Sequence, residues 1–334
     1  MEKVAVFSSK KYDRIIADSH TEKSRLEFTF FESALSPETV HLAQGFDAVC
    51  IFVNDEANQH VLEQLNSFGI SIIALRCAGY NNVDIKAAKA LGFTLCRVPE
   101  YSPEAVAEHT VGLMLTLSRK FHKAYNRVRE GNFALDGLMG FNLHNKTVGL
   151  IGTGNIGIAT LRILNGFGCQ ILCHDPIQNP IALELGARYV ALDELFKQSD
   201  IISLHCPLLP ETQHIIDESA LNQMKKGVML INTSRGALID TQAAINGLKQ
   251  GLIGYLGLDV YELESGLFFE DLSEQIIQDD IFQRLTTFGN VMITGHQGFF
   301  TSEALNTIAL TTINNLETLL ANKKLDDEFL ICGR

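Results

Sequence analysis

The chain has 334 residues, enough for two domains that each bury a full core. Hydrophobic residues make up 46% and charged residues 20%, the balance of a folded globular protein and not of a disordered or fibrous one. A net charge of −12 argues against nucleic acid or an anionic membrane as the main partner. No stretch has the length and apolarity of a membrane span, and the N-terminal apolar run is too brief for a signal peptide, so a cytoplasmic protein is expected. Cys50, Cys77, Cys96, Cys169, Cys173, Cys206 and Cys332 are odd in number and lack C-x-x-C spacing. They read as reduced small hydrophobes, with neither a disulfide frame nor a zinc site.

In chain order, the first hundred residues alternate strand and helix. Strands are predicted over Val4–Phe7, Leu26–Phe31, Ala48–Val53, Ile70–Leu75 and Phe93–Val98. Helices are predicted over Lys10–Ser19, Asn58–Phe68 and Val83–Leu91. Such alternation builds a parallel sheet covered by helices. A long apolar-rich helix, Ser102–Lys120, follows, with Ser102 able to cap, Pro103 at the first helical position and Glu104 and Glu108 in its N-terminal half. It should link or bridge the domains.

A second series begins at Lys146, with strands predicted over Thr147–Ile151, Gln170–His174, Ile201–His205, Val228–Asn232, Ile253–Leu258 and Val291–Thr294. Ser302–Ala321 is an amphipathic helix expected to return to the first domain. The fold class is therefore α/β, with two doubly wound parallel-sheet domains.

The first strand of the second series runs into Gly152-Thr153-Gly154-Asn155-Ile156-Gly157, and the next ends just before Asp175. Strand, G-x-G-x-x-G turn, helix, strand and acid in that order mark a dinucleotide site. Gly152 allows the tight turn, Gly154 lets backbone approach a pyrophosphate, and Gly157 lets helix pack closely on strand. The helix start offers N–H groups and a positive dipole end to phosphates. Asp175 would receive the ribose hydroxyls of an adenosine and repel a 2′-phosphate, which favours NAD over NADP. Glycine turns before helices are common, and methyltransferases share part of the pattern, so the strand ends must decide the chemistry.

Those ends carry three candidates. Arg235, among small residues in an acidic protein, has a planar fork suited to a carboxylate, though alone it reads equally as a surface ion-pair partner. His296, between an apolar strand and glycines, could reach a ligand, though a lone histidine is more often structural. Glu264 gains meaning beside it, since a carboxylate accepting from one ring nitrogen fixes the tautomer and stabilises the imidazolium. A nicotinamide cofactor, a carboxylate-binding Arg and a protonated His–Glu pair amount to a site for carbonyl reduction by hydride transfer.

The blocks Val148–Gly157, Leu204–Thr212, Asn232–Asp240, Gly257–Glu264 and Gly295–Thr301 resemble the D-2-hydroxyacid dehydrogenases. Leu75–Asp84 and Arg97–His109 look most like the fermentative D-lactate dehydrogenases among them, and the resemblance spans nearly the whole chain. It implies a split substrate domain, residues 1–100 plus 299–334, around an NAD-binding domain, 101–298, with 102–120 as the bridging helix. It implies Arg235, Glu264 and His296 as the catalytic set, and pyruvate reduced to D-lactate with NADH. It also implies backbone N–H groups of Ala78 and Gly79 on the substrate carboxylate, a hydroxyl and ring face from Tyr101, and a wall from Phe299 and Phe52. Phe52 and Phe299 are more usually core residues, and Tyr101 could merely cap a loop.

Asn155, Ile156, Asp175, Cys206, Pro207, Thr233 and Asp259 would line the NAD site with the three glycines, Asp259 meeting the carboxamide or orienting Arg235. Gly298 and Phe300 stand where relatives often have Ala and Tyr, which bears on substrate breadth. A homodimer or homotetramer is implied through the cofactor domain and the Ser102–Lys120 helix. Domain closure over the substrate is expected. Alternatives are a dehydrogenase of bulkier 2-oxo acids, of the 2-oxoisocaproate type, and an NAD-sensing corepressor-like regulator.

Overall fold

The computed structural model describes residues 1–14, 24–264 and 266–333. They form two compact units, one of residues 1–102 with 300–334 and the other of residues 103–299.

The first unit holds a sheet in the order β13-β5-β4-β3-β1-β2. Its strands are β1 (Glu2–Val6), β2 (Leu26–Phe30), β3 (Ala48–Ile51), β4 (Ile72–Leu75), β5 (Thr94–Arg97) and β13 (Leu330–Cys332). The strand β13, which has no counterpart among the predicted elements, runs antiparallel to β5 on the edge, and every other pairing in this sheet is parallel. β3 is buried along its whole length, as expected of a parallel strand covered on both faces. The helices Gln59–Ser67 and Ile85–Ala90 begin at Asn58 and Asp84, whose side chains accept from Val61 N and Ala87 N. The tail helix Ser302–Leu320 packs Leu316 and Leu319 with Val4, Val6, Cys50 and Cys96. Residues 11–14 are helical, Lys10 is not, and residues 15–19 of the helix predicted over Lys10–Ser19 lie outside the described residues.

The second unit holds seven strands, all parallel, in the order β12-β11-β10-β9-β6-β7-β8. They are β6 (Thr147–Ile151), β7 (Gln170–His174), β8 (Arg188–Tyr189), β9 (Ile201–Leu204), β10 (Val228–Asn232), β11 (Ile253–Leu258) and β12 (Val291–Ile293). The chain grows outward from β6 to β8, then crosses to β9 and grows the other way. β6 and β9 therefore flank a topological switch point, where open α/β sheets bind ligands at the carboxyl ends of strands. The helix Pro103–Arg119 begins at the proline and packs Val111, Leu113, Met114 and Leu117 in one core with Ile158, Leu161, Leu164, Met229 and Ile231. No helix among the described residues is long and apolar enough to cross a membrane.

Candidate active site

At the switch point, β6 turns at Gly152, whose φ of 101° is a left-handed value that glycine adopts without strain. A Cβ there would sit 2.5 Å from the backbone of His205 and Cys206, so the two strand ends meet only because position 152 has no side chain. A Cβ at Gly157 would collide with the Gly152 carbonyl oxygen, which is how closely the helix Asn155–Gly166 docks under its own turn. Gly154 is the N-cap of that helix and supplies no side-chain acceptor to the first turn. Nothing lies within 4 Å of where its Cβ would be, so open space faces the helix start. Exposed Gly154 and Asn155 and half-buried Ile156 border this space. An open helix N-terminus fits a pyrophosphate.

Asp175, half-buried one residue past β7, accepts from Thr153 N at 2.7 Å and from Ile177 N at 2.9 Å. After β9, Cys206 is buried and its carbonyl accepts from Ser234 Oγ at 2.7 Å. Packing around the ring pushes His205 down to about 4, so this imidazole is neutral near pH 7 and pairs with Ser203 Oγ at 3.0 Å. Pro207 is exposed and follows directly. After β10, buried Thr233 shares a 2.8 Å hydroxyl contact with Thr110 of the helix Pro103–Arg119.

The candidates for proton and carboxylate chemistry follow β10, β11 and β12, which are neighbours in the sheet. Asn232 ends β10 and shapes the next turn, donating to the Arg235 carbonyl at 2.8 Å and accepting from Ser234 N at 3.0 Å. Arg235 is half-buried, its Nη1 donates to the Ser234 carbonyl, and among the described residues no carboxylate pairs with it. Beyond β11, Glu264 Oε2 accepts from Tyr261 N at 3.1 Å, leaving Oε1 to meet His296 Nδ1 at 3.0 Å. The ring of Phe269 lies 5.6 Å from the His296 imidazole. His296 and Glu264 are thus brought together, with Nδ1 directed at the carboxylate and Nε2 left for another partner.

Asp259 is 2% exposed and builds the turn beneath this pair. Its Oδ1 accepts from Thr294 Oγ1 at 2.5 Å and Gln297 N at 2.9 Å, and its Oδ2 from Gly298 N at 2.8 Å. His109 Nε2 lies 3.3 Å from the same carboxylate. Burial alone would raise the Asp259 carboxyl, but the hydrogen bonds from His109 and Thr294 outweigh it and hold the group below the usual carboxylate range. None of these partners is Arg235, so of the two roles the sequence offers for Asp259, carboxamide contact or orientation of Arg235, the second has no direct contact behind it among the described residues. Asp259 orients the His296 turn instead. His109 and Thr294 escaped the sequence reading because they lie far apart in the chain. The one available sign was a polar His on an otherwise apolar helix face.

In the first unit, Phe52 is 8% exposed just past β3, with the Arg76 guanidinium 4.9 Å over its ring. Asp55, itself buried, accepts from Phe52 N and Ser8 Oγ. Ala78 and Gly79 are half-buried past β4, where the Ala78 carbonyl accepts from Arg97 Nη1 at 3.0 Å. Tyr101 is half-buried near the end of the first segment, and Phe299 is the last residue of the second unit, 8% exposed.

Residues 111–298 match the sequence model of the D-isomer specific 2-hydroxyacid dehydrogenase NAD-binding domain. The D-lactate dehydrogenase of Escherichia coli is 56% identical over 317 residues, 95% of this chain and 96% of that one. The apo-structure of D-lactate dehydrogenase from Escherichia coli matches with a TM-score of 0.90 at 51% identity, covering 99% of this chain and 100% of that one. A structure described as the pyruvate reductase of Chlamydomonas reinhardtii matches at 0.92 with 42% identity, covering 98% of each chain.

The chain belongs to the D-isomer specific 2-hydroxyacid dehydrogenase family. As a member it is an NAD-dependent oxidoreductase, and its Rossmann-type cofactor unit is the stretch that matches the family's NAD-binding domain. The open helix start at Gly154 and the acid at Asp175 are the features of this dehydrogenase that fit NAD. Its substrate is a small molecule.

Proposed function

We propose that this dehydrogenase reduces pyruvate to D-lactate with NADH. The observation that carries the reading is the His296–Glu264 pair at 3.0 Å, on the ends of β12 and β11, with β11 adjoining β10, the strand that leads to Arg235. Bound NADH would supply the hydride for the carbonyl carbon. Glu264 accepts a hydrogen bond from Nδ1–H and stabilises the imidazolium, so His296 Nε2 can donate its proton to the carbonyl oxygen. Arg235, with no competing carboxylate among the described residues, offers its fork to the substrate carboxylate and polarises the carbonyl. Backbone N–H groups of Ala78 and Gly79 and the Tyr101 hydroxyl would complete that recognition, with Phe52 and Phe299 walling off the substrate methyl.

Gly152, Gly154, Asn155, Ile156, Gly157, Asp175, Cys206, Pro207, Thr233 and Asp259 make up the proposed NAD site, Asp259 by holding the turn above it. The handedness of the product rests on the family, and a cytoplasmic setting belongs to the same proposal. An assembly of two or four copies through the cofactor unit is also proposed, to be checked by light-scattering mass. Exposed Phe121, Tyr125, Phe133, Leu135 and Met139, clustered in one stretch of that unit, support it.

NADH oxidation over a panel of 2-oxo acids tests the activity. Pyruvate should give the highest kcat/KM, with 2-oxoisocaproate lower by about 10- to 200-fold because pocket size discriminates only weakly. A clear preference for 2-oxoisocaproate would reassign the substrate. No turnover with any 2-oxo acid would favour a regulatory protein.

A further inference from the structure

The acid at Asp175 is itself held by a chain of hydroxyls that starts on the outermost strand. β8 pairs in register with β7, Cys173 opposite Tyr189, so Tyr189 stands beside the strand that ends one residue before Asp175. The Tyr189 hydroxyl accepts the Asn179 N–H at 2.8 Å and lies 2.8 Å from Thr153 Oγ1. The Asp175 carboxylate can only accept, so the Thr153 proton is committed to it and the phenolic proton of Tyr189 points at Thr153 Oγ1. The Thr153 hydroxyl then directs its own proton to Asp175 Oδ2 at 3.2 Å, alongside its backbone N–H to the same oxygen at 2.7 Å. Asn179 closes the loop by donating to the Thr153 carbonyl at 3.0 Å. Thr153 is 3% exposed and lies inside the G-x-G turn, so the turn and the acid form one hydrogen-bonded piece.

We propose that Tyr189, acting through Thr153, is the positioning residue that fixes Asp175 for an unphosphorylated adenosine ribose and so sets the preference of this enzyme for NADH over NADPH. The proposal rests on the reading of Asp175 as the ribose acceptor. A half-buried carboxylate without such a chain would rotate toward water, weakening its bond to a ribose hydroxyl. It could also swing away from a 2′-phosphate, relaxing the repulsion. With Thr153 and Ile177 occupying three acceptor sites, the carboxylate keeps about one for the ribose, and its direction is then set by the chain. Tyr189 touches neither substrate nor reacting atoms by this reading, so its loss should appear in coenzyme binding and not in chemistry.

The test is calorimetric titration of NADH and NADPH into purified wild type, Tyr189→Phe, Thr153→Val, Thr153→Ser and Asp175→Ala, without substrate. Tyr189→Phe should raise the NADH Kd by about three- to tenfold, the worth of one neutral hydrogen bond, and leave the NADPH Kd unchanged or lower. Thr153→Val should do the same or more, while Thr153→Ser, which keeps the hydroxyl, should restore the wild-type ratio. The pyruvate KM at saturating NADH should not move. If Asp175→Ala alters the NADPH to NADH ratio but Tyr189→Phe and Thr153→Val leave it within about twofold of wild type, below the worth of one such bond, the positioning role is wrong. If Asp175→Ala itself leaves the ratio unchanged, the ribose reading of Asp175 fails first and takes the proposal with it.

Discussion

His296 has a φ of 52°, a left-handed conformation that costs a non-glycine residue about 1 kcal/mol or more. The surroundings hold it there. Its N–H is shared by the carbonyls of Asp259 at 2.7 Å and Thr294 at 3.1 Å, while the Asp259 carboxylate grips the next two N–H groups. Backbone strain at the proposed proton donor is thus offset by a buried carboxylate that never touches the ring. This geometry selects the variant for a test. Asn adopts the left-handed region more readily than Ala, so His296→Asn removes the acid while sparing the turn. It should lower kcat by about 10²–10⁴ while NADH still binds with its wild-type Kd, read by titration. A variant with wild-type kcat would remove His296 from the mechanism. Arg235, Glu264 and His296 could be picked out of the sequence because each sits in a short motif at a strand end. The grip of Asp259 could not, since its partners come from another helix and from the turn's own backbone.

Elements carry that precision because loops from adjacent strands touch. A Cβ at Gly236 would collide with the backbone of Tyr261 and Glu262, so the turn after β10 lies flat against the loop that leads to Glu264. Glu262 secures the same loop, accepting from His214 Nε2 at 2.6 Å and Thr241 Oγ1 at 2.9 Å. Gly236→Ala must push these loops apart, displacing Arg235 from Glu264 with no change to either side chain. We expect kcat/KM for pyruvate to fall by about 100-fold, the usual result of misplacing reacting groups by an ångström, with NADH binding little changed. Unaltered kinetics would show that the contact carries no positional information. Strands β6, β7, β10 and β11 have the limits that their apolar runs predict, because a parallel strand covered on both faces carries an apolar run through its middle. By contrast β8 is two residues long, too short for any periodicity to register. That β8 also delivers the Tyr189 hydroxyl is a tertiary fact with no sequence signal. Short helices such as Leu192–Gln198 give the sequence no clear period for the same reason of length.

For the molecule as a whole, pH couples to stability through the one imidazole of the turn region that folding keeps neutral. His205 titrates at about 4 in the folded chain against 6.5 for a free imidazole, so between these values the unfolded chain binds the extra proton. The contribution is fully present above pH 6.5 and is lost as pH falls toward 4, amounting at most to about 3 kcal/mol and less in practice because the residue is part-exposed. Asp259 and Asp200, held below the usual carboxylate range, lose their contributions only at more acidic pH, where those groups take up protons. Two other terms share the window. His122 is also lowered, by burial and then by Lys123, and the net charge of −12 shrinks on acidification, which relieves repulsion and works the other way. A difference measurement cancels both. His205→Gln can keep a donor near Ser203 Oγ but cannot titrate, so its stability should fall less than wild type between pH 7.5 and 5. Hydrogen exchange of the β6 and β9 amides reads the unit that holds the residue, independently of how the other unit behaves. Parallel losses in the two proteins would mean that His205 does not couple folding to pH, and the acid sensitivity would then belong to His122.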